Sequence, residues 1–384
     1  MPRSATAVCS NCRRSVRGHC GSSITATLAL SCGVLVLLAA TYTLPVLSVH
    51  LAGSQRETYI TSAFTLLIQN GWAPVAIFLG AFLVVLPIVR FSLLTLTLSI
   101  VRFGGRPAWL GPAFRFAIAL DLWSMLDVLL IGGIVGYVRL AQNLNPTIES
   151  GGWCFAVVAV LTMITSASLD RRTVWRQITP DGPAPKQGRI ISCTVCDLTL
   201  PASMDGERCP RCLARLHARK PDAVIRAVAL TLAGLLLYAP ANLLPMTTVT
   251  QLGQTEGQTI TYGVNKLFQV GLWPLGIVVF CTSILIPLFK LLAMGWFVLS
   301  VRYRWRWGLE ARTRLHRIMD DLGRWSNVDV MIIIVFAPLM QFGQLATAHF
   351  AVGGACFFAV VIVTMLASRS FDPRLMWDAV EIAK

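Results

Sequence analysis

Residues 83–102 read LVVLPIVRFSLLTLTLSIVR, and residues 283–302 read SILIPLFKLLAMGWFVLSVR. At a shift of 200 residues Pro87 faces Pro287, Arg90 faces Lys290 and Arg102 faces Arg302. Apolar runs resemble one another by chance, but prolines and charges in one register do not. Working outward without a gap, Leu44-Pro45 meets Leu244-Pro245, Gly53 meets Gly253, Ile60 meets Ile260, and Gly71 and Pro74 meet Gly271 and Pro274. After a two-residue insertion the match continues at 202. Trp123-Ser124 and Asp127 meet Trp325-Ser326 and Asp329, Cys154 meets Cys356, and Asp170, Arg172 and Trp175 meet Asp372, Arg374 and Trp377. The chain reads as one unit written twice.

Composition says what kind of unit. With 55% hydrophobic and 13% charged residues and a mean hydropathy of +0.66, 384 residues have too little polar surface to coat a soluble globule. Eight segments approach the roughly 20 apolar residues that cross a bilayer core, near 24–44, 72–100, 117–140, 152–169, 224–244, 272–300, 325–345 and 349–368. The expected fold is therefore an all-α polytopic membrane protein of two tandem four-helix units. An even number of spans per unit gives both the same orientation, which disfavours an inverted-repeat transporter. The net charge of +15 is concentrated in alternate connections, with eleven Lys and Arg from Arg171 to Arg226 and six from Arg302 to Arg317. The positive-inside rule then places both termini and the central segment in the cytoplasm. The outward connections 45–71 and 245–271 carry strand signals, Thr247–Thr250 and Gln258–Tyr262 forming an expected hairpin. The expected division is 1–23, a degenerate ribbon-like segment; 24–176, the first four-helix unit; 177–222, a cytoplasmic ribbon; and 223–384, the second unit with its tail.

Between the two units, Cys193-x-x-Cys196 and Cys209-Pro-Arg-Cys212 offer four thiolates from two tight turns. That spacing is a structural metal ribbon, zinc before iron, with a redox dithiol pair as the alternative. At the N-terminus the counterpart is incomplete. Cys9 and Cys12 form one knuckle, but His19-Cys20 follows without a second one. Either a compact Cys3His site forms from Cys9, Cys12, His19 and Cys20, or that half has decayed into a basic tail. Four-thiolate coordination leaves no open position, so the ribbon serves as a staple at the head of the second unit or as a docking surface. Cys32, Cys154, Cys281 and Cys356 read as small buried apolar residues.

The repeated charges inside the spans carry the functional signal. Arg90 lies twelve residues before Arg102, roughly 18 Å along its helix, and Asp127 lies twelve after Arg115 on the next one. Lys290 and Asp329 repeat that arithmetic from Arg302 and Arg317. Equal depth pairs Arg90 with Asp127 and Lys290 with Asp329, either as structural ion pairs or as a polar element that changes protonation or passes a charged headgroup. Trp123 and Ser124, with Trp325 and Ser326, sit one turn before each aspartate and offer an aromatic wall and a hydroxyl, core packing being the plainer role for Trp. The basic and aromatic run Arg302–Trp307 fits a membrane edge with anionic headgroups. No Gly-Lys dipeptide, His-Glu-x-x-His or Gly-x-Ser-x-Gly occurs, so neither a P-loop ATPase nor a familiar hydrolase is indicated, and no nucleotide or nucleic-acid partner is expected.

The central cysteine pairs, Ala241-Asn-Leu-Leu-Pro245, Ser283-Ile-Leu-Ile-Pro287 with Lys290, Gly323-Arg-Trp-Ser326 with Asp329 and Arg374-Leu-Met-Trp-Asp378 together resemble the paraquat-inducible protein A family. The first half echoes them in Trp123-Ser-Met-Leu-Asp127. The resemblance implies two tandem units, each a cytoplasmic zinc ribbon plus four helices, in the inner membrane of a Gram-negative cell. It further implies a non-enzymatic subunit that works with a periplasmic MCE-domain protein and moves phospholipid. A non-transporting anchor and zinc-dependent assembly platform for envelope stress is the alternative. A small-solute transporter finds no ligand cluster in the spans to support it.

Overall fold

Proline inside a long helix has to be accommodated. Pro87 and Pro287 lack the N–H that would bond the carbonyl four residues earlier, and their rings crowd that carbonyl. In the computed structural model both helices run unbroken for 30 residues, Ala73–Arg102 and Trp273–Arg302. Each widens into a π-turn immediately before its proline, at Ala81–Val85 and Cys281–Leu285. A π-turn lets the chain pass the missing bond without a break, and such turns are common at functional positions. Arg90 and Lys290 follow one turn later, both buried.

The described residues are 7–8, 15–17, 23–51, 54–121, 123–124, 126–141, 146–180, 190–251, 254–321 and 346–381. Among them six helices are long and apolar enough to cross a membrane: Ile24–Thr43, Ala73–Arg102, Ser150–Ser168, Ala223–Leu243, Trp273–Arg302 and Val352–Ser370. The expected span at 325–345 lies outside the described residues. The one at 117–140 is corrected. It divides into two shorter helices, Leu110–Leu120 and Leu126–Leu140, with Asp121 at the break. Apolar content alone does not reveal that break, because a single Asp and Ser within a long apolar run are compatible with one continuous span.

The strands also differ from expectation. Thr247–Gln251 pairs with Gln254–Gln258, not with residues near Tyr262, and Ala346–Phe350 adds a third strand on the other side. Thr259 ends the strand by capping a helix, its Oγ1 accepting from the Tyr262 N–H at 3.2 Å, and Ile260–Gln269 is helical. The first half builds the same three-stranded sheet from Leu47–Leu51, Ser54–Thr58 and Pro146–Ile148. Each sheet is pinned to the following span. The N–H groups of Gly151 and Gly353 donate to Pro45 and Pro245 carbonyls at 3.0 Å. A Cβ on Gly151 would lie 2.6 Å from the Leu44 carbonyl oxygen, so only glycine admits this approach.

Contacts group the chain into two compact units. One comprises Met1–Ala40, Ala81–Asp127 and Cys154–Pro221, and the other Thr41–Gly80, Val128–Trp153 and Asp222–Lys384. The second unit has a tight apolar core in which Phe297, Phe371, Met294 and Met376 are almost fully buried. It also joins sheet-side elements of both sequence halves, with Trp72 edge-on to Phe350 at 5.3 Å and His349 Nδ1 bonded to Asn70 Oδ1 at 3.1 Å. The lone cysteines are less hidden than expected: Cys32 is exposed, and Cys154, Cys281 and Cys356 are half-buried. In a spanning helix these small apolar thiols face a medium as apolar as a core, so the sequence pattern is the same.

Candidate functional site

Arg90 is 5% exposed. Its Nη2 donates to Asp121 Oδ1 at 2.6 Å and to Ser166 Oγ at 2.7 Å. Ser166 Oγ passes its own hydrogen to Asp121 Oδ1 at 3.2 Å, and Arg171 Nη2 reaches Asp121 Oδ2 at 3.1 Å. Both carboxylate oxygens are thus occupied by charge-assisted bonds, which run about twice as strong as neutral ones. Arg90 thus forms an ion pair with Asp121, a carboxylate that the repeat arithmetic does not single out. The break after Leu120 is what brings the Asp121 carboxylate to the cation, since Asp121 stands as the cap residue of that helix.

Lys290 is 2% exposed, and Asp320, in the last turn of Leu309–Asp321, is close enough to act electrostatically on its charge. Ser368 Oγ donates to Asp320 Oδ1 at 2.9 Å. Both halves therefore hold a cation, a carboxylate and a serine together. Ser166 and Ser368 correspond at the 202-residue shift. The carboxylates do not. The register that matches Arg115 with Arg317 sets Asp320 opposite Ile118, one helical turn before Asp121, which leaves it on the same face. A search for identical positions misses that exchange; a search for one acid per face finds it.

Asp127, 9% exposed, opens the helix Leu126–Leu140, where a carboxylate is favoured by the helix dipole. Trp123 stacks on Phe82 at 5.4 Å and 23°, a packing role. The buried Ser124 hydroxyl has no hydrogen-bond partner among the described residues. Trp325, Ser326 and Asp329 lie outside the described residues, as do Cys9, Cys12, His19 and Cys20. Strands Ala7–Val8 and Ser15–Arg17 pair on either side of the first of these cysteine knuckles.

The four central cysteines converge. Their sulfurs all lie within 4.8 Å of one another, with Cys193 to Cys212 at 3.5 Å and Cys196 to Cys209 at 3.6 Å. A tetrahedron with metal–sulfur bonds of about 2.3 Å has edges of roughly 3.8 Å, so the cluster can hold one metal ion and is compatible with zinc. Each knuckle closes the same way: Asp197 N–H donates to Cys193 O at 3.1 Å and Leu213 N–H to Cys209 O at 2.9 Å, both donors at positive φ. Hydrogen bonding from Cys196 pulls the Cys193 thiol down to about 6, and contact with Cys193 drives Cys209 lower still. The same contacts push Cys196 and Cys212 up. Four thiolates side by side require a bound cation, which is what such a closed site supplies room for.

The ribbon also touches a helix that precedes it in the chain. A Cβ on Gly111 would overlap the Arg211 carbonyl, so the second knuckle lies directly on the helix Leu110–Leu120 of the first half. Arg172 adds an ion pair with Asp197 at 3.5 Å.

With the buried charges and thiol cluster in place, comparison with known proteins is decisive. A family model described as paraquat-inducible protein A matches residues 24–179 and 224–381. The chain belongs to that family. It is 28% identical over 377 residues to the intermembrane transport protein PqiA of Escherichia coli K12, covering 94% of this chain and 89% of that one. It is also 28% identical over 380 residues to the lipophilic envelope-spanning tunnel protein A of the same strain, covering 98% and 87%. A probable intermembrane transport protein of Haemophilus influenzae is 26% identical over 362 residues, covering 92% and 85%. No solved structure gives a significant match. Both matched stretches of the family model contain the π-turn, the proline and the buried cation.

Proposed function

We propose that the protein is the inner-membrane subunit of an MCE-type intermembrane lipid-transport system and passes phospholipid between that membrane and a periplasmic MCE tunnel. The observation carrying this reading is the pair of buried cations directly after π-turns, each with a carboxylate and a serine on other helices, in a chain whose relatives are named intermembrane transport proteins. An ionised group in a span costs several kcal/mol and is retained where it serves a polar path. Lys290 with Asp320, and Asp127 and Asp329 on the neighbouring segments, bind or gate the headgroup. The ribbon holds zinc through Cys193, Cys196, Cys209 and Cys212, and the arginine-rich ends face the cytoplasm with both termini. The division at 24–176, 177–222 and 223–384, with its tandem four-helix units, belongs to the same reading, which assigns no enzymatic step.

Reconstitution with the MCE partner and transfer of labelled phospholipid tests it. Lys290→Met, and Asp127→Asn combined with Asp329→Asn, should each depress transfer steeply; wild-type transfer in both would remove the buried charges from the mechanism. A second reading, an anchoring platform dependent on zinc, is favoured by the ribbon pressed onto Gly111. It gains if transfer survives those changes but fails in Cys209→Ser.

A further inference from the structure

At the arginine-rich end of the first half, a cavity of about 550 Å³ opens between the start of Ile24–Thr43, the end of Ala73–Arg102 and the helix Arg171–Ile178. Its floor is apolar, with Leu98, Val101 and Val174 buried. Hydroxyls of Ser23, Thr25, Thr27 and Thr173 line the wall, and Arg102, Arg106 and Gln177 stand exposed at the mouth. Neither arginine has an ion pair or side-chain hydrogen bond among the described residues. Asp170, the acid in the lining, is already engaged as a helix cap, accepting from the N–H groups of Arg172 and Thr173 and from Thr173 Oγ1 at 2.6 Å.

The second half shows what this space looks like when it holds nothing. The positions matching Thr27, Leu169 and Val174 are Ala227, Phe371 and Met376, all part of the close-packed core. Thr173 and Gln177 correspond to Leu375 and Ala379, Ser23 and Thr25 to Ala223 and Ile225, and Gly105 at the mouth to Trp305. One half has filled the site with apolar side chains, while the other keeps it open and lines it with hydroxyls and an amide behind two exposed arginines, Arg102 and Arg106, that recur as Arg302 and Arg306.

We propose that this cavity is a binding site for the phosphate of an anionic glycerophospholipid in the leaflet at the arginine-rich end. Arg102 and Arg106 take the phosphate by charge-assisted bonds, the hydroxyls of Ser23 and Thr25 take its remaining oxygens and the glycerol, and the apolar floor takes the first carbons of an acyl chain. The inference rests on the lipid-transport reading for the nature of the ligand, but the site itself is separate from the buried charges of the spans.

The test is retention of labelled phosphatidylglycerol by the full-length protein in detergent, read by native mass spectrometry, beside diacylglycerol with the same chains and soluble glycerophosphate. Arg102→Gln with Arg106→Gln should lower phosphatidylglycerol retention at least about tenfold, the equivalent of one lost charge-assisted hydrogen bond. Refilling the cavity as the second half does, with Thr25→Ile, Leu169→Phe and Thr173→Leu, should do the same while the protein keeps its metal content and melting temperature. Unchanged retention in the arginine double variant, whose exposed positions leave folding intact, overturns the proposal. So does equal retention of diacylglycerol, and so does glycerophosphate competing at the lipid's own concentration, which would make the ligand a soluble phosphate ester. Loss of transfer in Lys290→Met with retention here unchanged bears on the transport reading alone.

Discussion

The two halves solve one problem, a cation buried one turn after a proline, with different parts. In the first, Arg90 is locked to Asp121, Ser166 and, through the carboxylate, Arg171. Arginine does not titrate in proteins, so this cluster keeps its charge whatever happens around it. In the second, the cation is a lysine and its acid sits a turn earlier on the helix. The two stretches share the helix frame and differ in the groups they turn inward, a guanidinium held by a carboxylate at the helix end in one and an ammonium with an acid one turn earlier in the other.

That contrast is sharpest at the arginine-rich ends. Phe297 is fully buried in the second-half core, whereas its counterpart Thr97 bonds its own helix at Leu93 O, 2.8 Å away. Phe297→Ala should therefore cost about 3–5 kcal/mol of stability. Thr97→Ala should cost under about 1 kcal/mol, since it removes only a local hydrogen bond. Thermal unfolding in detergent measures both. Equal losses would mean that the first half is packed at this level as tightly as the second.

A smaller effect separates the two cations. Arg90→Met leaves the Asp121 carboxylate with Arg171 for company, and because Asp121 is 23% exposed the loss should be about 2–3 kcal/mol, below that of a wholly buried pair. Lys290→Met should affect transfer more than stability, because a methionine of similar volume fills the buried site without the cost of keeping a charge there. If Arg90→Met abolishes transfer in a protein that still melts normally, the first cluster is no mere clamp.

The ribbon provides a third difference. Gly111→Ala sets a Cβ into the Arg211 carbonyl and should cost about 1–3 kcal/mol, typical of overpacking, while loosening the metal. The second half has a larger residue at the matching position, Thr313. Metal retention against a chelator, compared between wild type and Gly111→Ala, checks it. Wild-type retention would show that the knuckle holds its ion without help from the helix below.

How much of this was legible beforehand follows from what a linear pattern can carry. Pro87 and Pro287, Arg90 and Lys290, and the cysteine spacing announce themselves, because each is a rare residue at a meaningful interval. Asp121 and Asp320 do not, since each looks like one acid near a helix end and only the shared face relates them. The third strands are short enough to vanish beside the long apolar runs that follow them. The docking of Arg211 on Gly111 joins residues a hundred positions apart, and no local spacing records it.

The faintest difference is the most telling about how the halves diverged. Trp377 Nε1 donates to Thr313 Oγ1 at 3.1 Å, whereas its counterpart Trp175, buried edge-on against Phe114 at 4.9 Å, has no partner for its N–H among the described residues. The reason is Gly111, which stands where the second half has Thr313 and removes the acceptor so that the ribbon can approach. Thr313→Val should accordingly cost about 1 kcal/mol, the ordinary net worth of one hydrogen bond. Trp175→Phe should lose packing area but no hydrogen bond, and so cost less than Trp377→Phe. Restoring the acceptor with Gly111→Thr should not rescue the tryptophan. It should instead displace the ribbon, and a stabilised protein from that change would show that the N–H of Trp175 matters more than the seat of the knuckle.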